Sequence, residues 1–138
     1  MAVVVGYDES PGAEVALDTA IRVAAKWGEP LTIVYGAGPP GGLGEEHKSH
    51  RDALMEMGQH ALDRAVDLAG QQGVETQIRL VDAKPAQALL EVADELDATV
   101  IVVGTTGESP LRSAVLGSTP HKLLHLSSRP VLCVPIHH

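Results

Sequence analysis

Short apolar runs alternate along this chain with longer segments whose apolar residues recur every three or four positions. Ala2 to Gly6 (AVVVG) is uninterrupted, the pattern of a strand buried on both faces. After it, Ala13, Ala16, Leu17, Ala20, Ala24 and Trp27 fall on one helical face. Ser10 suits the N-cap of that helix, Pro11 its first position, and Gly28 its C-terminal stop. Leu31 to Gly36 (LTIVYG) predicts a second buried strand. The next stretch, GAGPPGGLG, predicts a loop by its glycines and prolines. From about Glu45 to Gly70 the period is helical, with Leu54, Met57, Ala61, Leu62, Ala65, Leu68 and Ala69 inward, and Gln71 to Gly73 end it. Val74 to Val81 alternates at first, which predicts a strand with one open face at a sheet edge. Pro85 to Leu96 predicts a helix that buries Leu89, Leu90, Ala93 and Leu96. Thr99 to Val103 (TVIVV) is another continuous strand, a short helix ends near Leu126, and Pro130 to Val134 supplies the last strand.

Strands and helices in strict alternation predict an α/β fold, a doubly wound parallel sheet with helices on both faces. Right-handed crossovers restrict its topology to a few arrangements. Residues 1–138 read as a single domain, with the Gly/Pro stretch as an insertion inside it.

Composition narrows the function classes. The core must be aliphatic, because the chain has no Phe, one Trp and two Tyr. A net charge of −8 argues against nonspecific nucleic-acid binding and against an anionic membrane surface. It is compatible with one local site for a phosphorylated small molecule. No apolar run approaches the roughly 18–20 residues of a membrane span, and Asp8 interrupts the N-terminal run too early for a signal peptide. The expectation is a cytoplasmic protein. The single cysteine, Cys133, forms no intrachain disulfide and reads as an inert core thiol.

In doubly wound sheets ligands bind beyond the carboxyl ends of the strands, where the strand order reverses. With the first strand central, two loops face each other there. One is GYDES, Gly6 to Ser10; the other is GTTGESPLRSAVLGSTP, Gly104 to Pro120. Gly104, Gly107 and Gly117 let backbone approach an anion without a Cβ in the way. The helix starting near Ser118, Thr119 and Pro120 adds orphan N–H groups and the positive end of its dipole. The hydroxyls of Ser118 and Thr119 suit helix capping or phosphate contact, and Arg112 is the one basic side chain within the loop. The same glycines also fit an ordinary strand-to-helix turn, and Asp8 also fits a strand-end turn.

The spacing G-x2-G-x9-G-[S/T], together with VVVGYDES, VDAKPAQALLEVADELDATVIVVG and the terminal SSRPVLCVP, resembles the universal stress protein family, in particular its ATP-binding branch. The resemblance spans nearly the whole chain. It implies a Rossmann-like sheet of five parallel strands in the order 3-2-1-4-5 with four helices, an αβα sandwich. It implies an adenine nucleotide, ATP or a related one with or without Mg²⁺, between the first and fourth strands, and a homodimer through the last strand. By position, Asp8 would approach the nucleoside, Gly6 and Tyr7 would lie beside the base, and Val103 would touch adenine or ribose. Gly36 stands where the family often has an aliphatic residue against adenine. Gly104, Gly107, Gly117, Ser118 and Thr119 would line the phosphates, with Arg112 nearby. This chain carries Thr106 where the family often has a basic residue, and adds Glu108 and Pro120.

Three functions remain open on these grounds: a dimeric nucleotide-dependent regulator of the stress response, a dimeric interaction module with a vestigial site, and a slow ATP hydrolase. The P-loop string G-x4-G-K-[ST] is absent, and no acid/base pair or activated nucleophile stands out, so no catalytic residue is assigned. His121 and His125 share a helix face, but HKLLH lacks the Glu of H-E-x-x-H and no third ligand is evident, so no metal is assigned there either.

Overall fold

The computed structural model describes residues 1–8, 10–36, 56, 59–60, 62–105 and 116–136. Among the described residues there are five strands: β1 (Val3–Gly6), β2 (Leu31–Gly36), β3 (Thr76–Val81), β4 (Val100–Gly104) and β5 (Val131–Val134). Helices α1 (Pro11–Trp27), α3 (Pro85–Leu96) and α4 (Ser118–Leu126) join them, and α2 is helical over 62–71. The sheet order is β3-β2-β1-β4-β5 and every pairing is parallel.

The pleat divides the core in two. Val3 and Val5 face a cluster built on α1 and α2, including Leu17, Ile21, Leu62 and Ala69. Val4 faces the other layer, with Leu89, Val92, Ile101 and Leu123 from α3, β4 and α4. Strand β1 is central, so all three of its valines are fully buried, which is why its sequence does not alternate.

Sequence punctuation sets the helix ends. Ser10 caps α1 with its Oγ accepting from the Ala13 N–H at 3.2 Å, and Pro11 follows at the first turn. Gly28 ends α1 at φ 67°, a left-handed value that favours glycine. Helix α3 ends instead on Asp97 at φ 52°, whose carboxylate Oδ1 accepts from Arg129 Nη1 at 2.8 Å.

Several expectations need correction. Trp27 is 51% exposed rather than part of the buried face of α1. Trp27 is the last residue of α1, and of the final turn only Ala24 is buried. Ile21, not Trp27, completes that face. Leu68 is also exposed, because it lies roughly 90° round α2 from the stripe of Leu62, Ala65 and Ala69. Leu54, Met57 and Ala61 lie outside the described residues. On α3, Val92 is buried, whereas Leu90 and Leu96 are only partly so. Strand β5 is an edge strand, so Leu132 is exposed and Cys133 is half-buried rather than sealed in the core. Burial still pushes the Cys133 thiol above its usual range. Helix α4 takes Gly117 as its N-cap with no side-chain cap, so Ser118 and Thr119 occupy its first turn and do not cap it.

Candidate functional site

Beyond the carboxyl ends of β1 and β4, on either side of which the chain runs to opposite edges of the sheet, a cleft of about 130 Å³ opens. Sites that engulf a ligand usually measure roughly 300–1,000 Å³. The described walls therefore form one side of a site and not a closed chamber. They include Gly6, Tyr7 and Asp8 after β1, Gly36 at the end of β2, Val103 and Gly104 of β4, and Gly117, Ser118 and Thr119 at the start of α4. Nine of the eleven residues expected at a ligand site thus meet in one cleft. Gly107 and Arg112, with Thr106 and Glu108, lie outside the described residues.

Ser10, Ala13, Val34, Pro85, Leu89 and Pro120 also line it. Sequence reasoning took Ser10 as a cap and Leu89 as core only. Pro85 and Leu89 share one face of α3, a spacing signal that was available in the sequence, and a Cβ on Gly6 would stand 2.9 Å from Leu89 Cδ1. Val34 enters because it is the register partner of Gly6 on β2.

Donor accounting distinguishes the two helix starts. At α1 the Ser10 N–H donates to Asp8 Oδ1 at 3.0 Å, Pro11 has no N–H, and Ala13 donates to Ser10 Oγ, so the Gly12 N–H alone is without a partner among the described residues. Helix α4 leaves two. The Gly117 N–H donates to the Thr105 carbonyl at 2.8 Å, closing the loop at its base, and Pro120 has none. The Ser118 and Thr119 N–H groups have no partner among the described residues, and both carry hydroxyls. They form a two-donor, two-hydroxyl end on the positive pole of a helix.

The glycines have packing reasons. A Cβ on Gly104 would stand 2.6 Å from the Gly12 carbonyl oxygen, so the first turn of α1 rests directly on β4. A Cβ on Gly36 would stand 2.9 Å from the Ala83 carbonyl oxygen and 3.0 Å from Pro85 Cα. Both glycines were read as ligand contacts; each is also required by backbone closing on backbone.

Tyr7 reaches the cleft by its backbone alone. Its N–H donates to the Val34 carbonyl at 3.0 Å, leaving the carbonyl for a ligand. Its side chain is 3% exposed and turns into the core, where the phenol donates to Glu14 Oε1. Arg64 Nη2 of α2 donates to the same oxygen at 2.9 Å. Burial, then the Glu14 carboxylate, push the Tyr7 phenol up to about 12. Asp8 is exposed at the rim and is the one carboxylate among the described lining residues.

The universal stress protein family model matches residues 1–135. The chain belongs to the universal stress protein family. Universal stress protein YxiE of Bacillus subtilis is 36% identical over 84 residues, 61% of this chain and 57% of the relative. The chain thus spans less than two thirds of that relative's length. A universal stress protein solved in complex with cAMP is 30% identical, with a TM-score of 0.72, over 97% of this chain and 96% of the other. The universal stress protein from Archaeoglobus fulgidus solved in complex with dAMP is 27% identical, with a TM-score of 0.70, over 97% of each chain. The sheet order and the two helical layers of this universal stress protein agree with the fold that the resemblance implied. No helix among the described residues is long and apolar enough to cross a membrane.

Proposed function

We propose that this universal stress protein binds an adenine nucleotide, ATP or a related one, in the cleft between β1 and β4, and acts as a dimeric nucleotide-dependent regulator. The observation that carries this reading is the pair of unpartnered amides and hydroxyls at Ser118 and Thr119, set across an apolar cleft from Asp8. A phosphate accepts from those donors while a base lies against Val34, Leu89 and Val103. Asp8 keeps Oδ2 for a ribose hydroxyl, since Oδ1 is held by Ser10. Two relatives of similar length bound to adenosine monophosphate derivatives support the choice of base. Mg²⁺, where it accompanies ATP, would be held mainly by the phosphates, because the described cleft offers a single carboxylate. The exposed edge of β5, with Leu132 outward, is the surface on which a second copy would pair.

A second reading, an interaction module with a weakened site, is favoured by one observation: Gly117 spends its N–H within the loop and Pro120 has none, which removes two donors from the first turn of α4.

Mass spectrometry of nucleotide released on denaturing freshly purified protein, with thermal shifts under AMP, ADP and ATP with and without Mg²⁺, separates the two. The first reading expects released adenine nucleotide, or a shift that Gly117→Val abolishes without lowering the ligand-free melting temperature. An empty protein with no shift at millimolar nucleotide leaves the second reading. A shift that persists in Gly117→Val places the phosphate elsewhere. Phosphate release measured alongside tests slow hydrolysis.

A further inference from the structure

Helix α4 carries a feature that the cleft does not use. His121 and His125 are both exposed, and their rings meet with centroids 4.7 Å apart and planes at 67°. Neither imidazole has a hydrogen-bond or ion-pair partner among the described residues; each ring's contact is the other. Four residues along a helix return to within about 40° of the same direction, so both rings project from one face. Lys122 is the one Lys or Arg on α4, and it points about 100° away from His121.

The spacing of the rings matches a shared metal ion. An imidazole nitrogen binds Zn²⁺ at about 2.0–2.1 Å, and the ring centroid lies roughly 1.1–1.2 Å further on, so each centroid stands about 3.2 Å from the metal. Two such rings are about 4.5 Å apart at a 90° N–metal–N angle and about 5.2 Å apart at the tetrahedral angle. The observed 4.7 Å lies between these limits. The rings meet edge to face in the metal-free helix, so ligation requires an imidazole to turn about its side-chain bonds until both nitrogens face the ion, which their exposure permits.

We infer that His121 and His125 form a two-imidazole chelate for a divalent transition-metal ion, with water completing the coordination. Among the described residues no third His, Cys, Asp or Glu joins the pair. Imidazole donors select Cu²⁺, Ni²⁺ and Zn²⁺ over Mg²⁺ and Ca²⁺, and the affinity order follows Cu²⁺ above Ni²⁺ and Zn²⁺. A metal bridging residues 121 and 125 also clamps a helix of only nine residues, which on its own is too short to be stable. The inference is independent of the nucleotide reading, since neither histidine lines the cleft.

The test is calorimetric titration of the full chain with CuCl₂, NiCl₂ and ZnCl₂, using MgCl₂ as the negative probe, on the parent, on H121N/H125N and on H137N/H138N. The last variant removes the two adjacent histidines near the C-terminus, an obvious rival. The expected result is one equivalent bound in H137N/H138N, a melting temperature that rises with metal, and loss of both when H121N/H125N is combined with H137N/H138N. Either single variant, H121N or H125N, should weaken binding by roughly 10²-fold, because the second ring of a chelate binds at a high effective concentration. The histidines are exposed and Asn has similar helix propensity, so the metal-free melting temperature should stay unchanged. Titration followed by paramagnetic broadening of the two imidazole Cε1 proton signals with Ni²⁺ gives an independent readout. An unchanged isotherm in H121N/H125N, or no binding to H137N/H138N at millimolar metal, overturns the inference.

Discussion

Gly104→Ala is the sharpest test of how the cleft is built. The added Cβ would stand 2.6 Å from the Gly12 oxygen, 2.7 Å from its carbonyl carbon and 3.0 Å from its Cα. Ordinary contact begins near 3.4 Å, so β4 and the first turn of α1 must separate by about 0.8 Å. Neither can do so by a rotamer change, because the obstructing atoms are backbone. Overpacking of this kind costs about 1–3 kcal/mol, offset by about 0.4–1 kcal/mol from the lower entropy of the unfolded alanine chain. The net expectation is a loss of roughly 1–2 kcal/mol, or about 3–10 °C in melting temperature for a domain of this size. Gly6→Ala is the control. Its Cβ would stand 2.9 Å from Leu89 Cδ1, the far end of a side chain that can turn, so its cost should stay within about 0.5 kcal/mol of zero. Urea unfolding of both variants without nucleotide measures the difference, with the slope unchanged and the midpoint lowered for Gly104→Ala alone. If the two variants prove equally stable, the backbone contact does not exist as described and the packing role of Gly104 is wrong.

Two further outcomes follow from the network around the sheet. Tyr7→Phe removes the phenol donated to Glu14 and should cost about 1 kcal/mol near neutral pH. The phenol ionises near 12 in the fold against 10 in the unfolded chain, so its contribution is complete below pH 10 and is lost as pH rises towards 12. The parent should therefore lose more stability than Tyr7→Phe between pH 9 and 11.5 in urea titrations; parallel losses would refute it. Arg129→Ala removes the guanidinium that donates to Asp97 Oδ1, Asp94 Oδ1 and the Ala98 carbonyl, tying the end of α3 to the approach to β5. Its urea midpoint should fall, and by less in 1 M NaCl than in 50 mM because two of those partners are exposed carboxylates; an unchanged midpoint at low salt would refute that tie.

Much of the fold was legible because punctuation and periodicity agreed. Pro11 and Gly28 bound α1, Pro85 opens α3, and uninterrupted valines mark the strands that lie inside a parallel sheet. What failed did so where a residue's environment is set by elements distant in the chain. Trp27 has helical spacing, but nothing in its own segment says that the final turn of α1 buries Ala24 and leaves Trp27 exposed. VLCV is as apolar as a central strand, so its own residues read as core; the order 3-2-1-4-5 that the resemblance implied is what places it at an edge, with Leu132 exposed. Most of the cleft was legible for a different reason: the switch-point rule names two loops without needing side-chain detail. The third wall, Pro85 and Leu89 of α3, was missed because both residues had already been assigned to ordinary helix roles.

The glycines bring these strands of reasoning together. A glycine in a suspected phosphate loop is usually explained by the ligand it admits. Here Gly6, Gly36 and Gly104 end the three adjacent strands β1, β2 and β4, and each admits a piece of the protein: Leu89, the Ala83–Pro85 turn and the Gly12 turn. Those approaches seat α1 on one face of the sheet and α3 on the other, at the strand ends where the cleft opens. On the proposed reading the phosphate falls to Ser118 and Thr119, whose amides have no partner among the described residues, while Ser10 and Asp8 close the cap of α1. Substitution at Gly104 and at Ser118 should therefore part company. The first should shift stability in the absence of ligand; the second, as Ser118→Ala, should leave ligand-free stability intact and, on the proposed reading, weaken nucleotide binding by the loss of one hydroxyl, read as a smaller thermal shift.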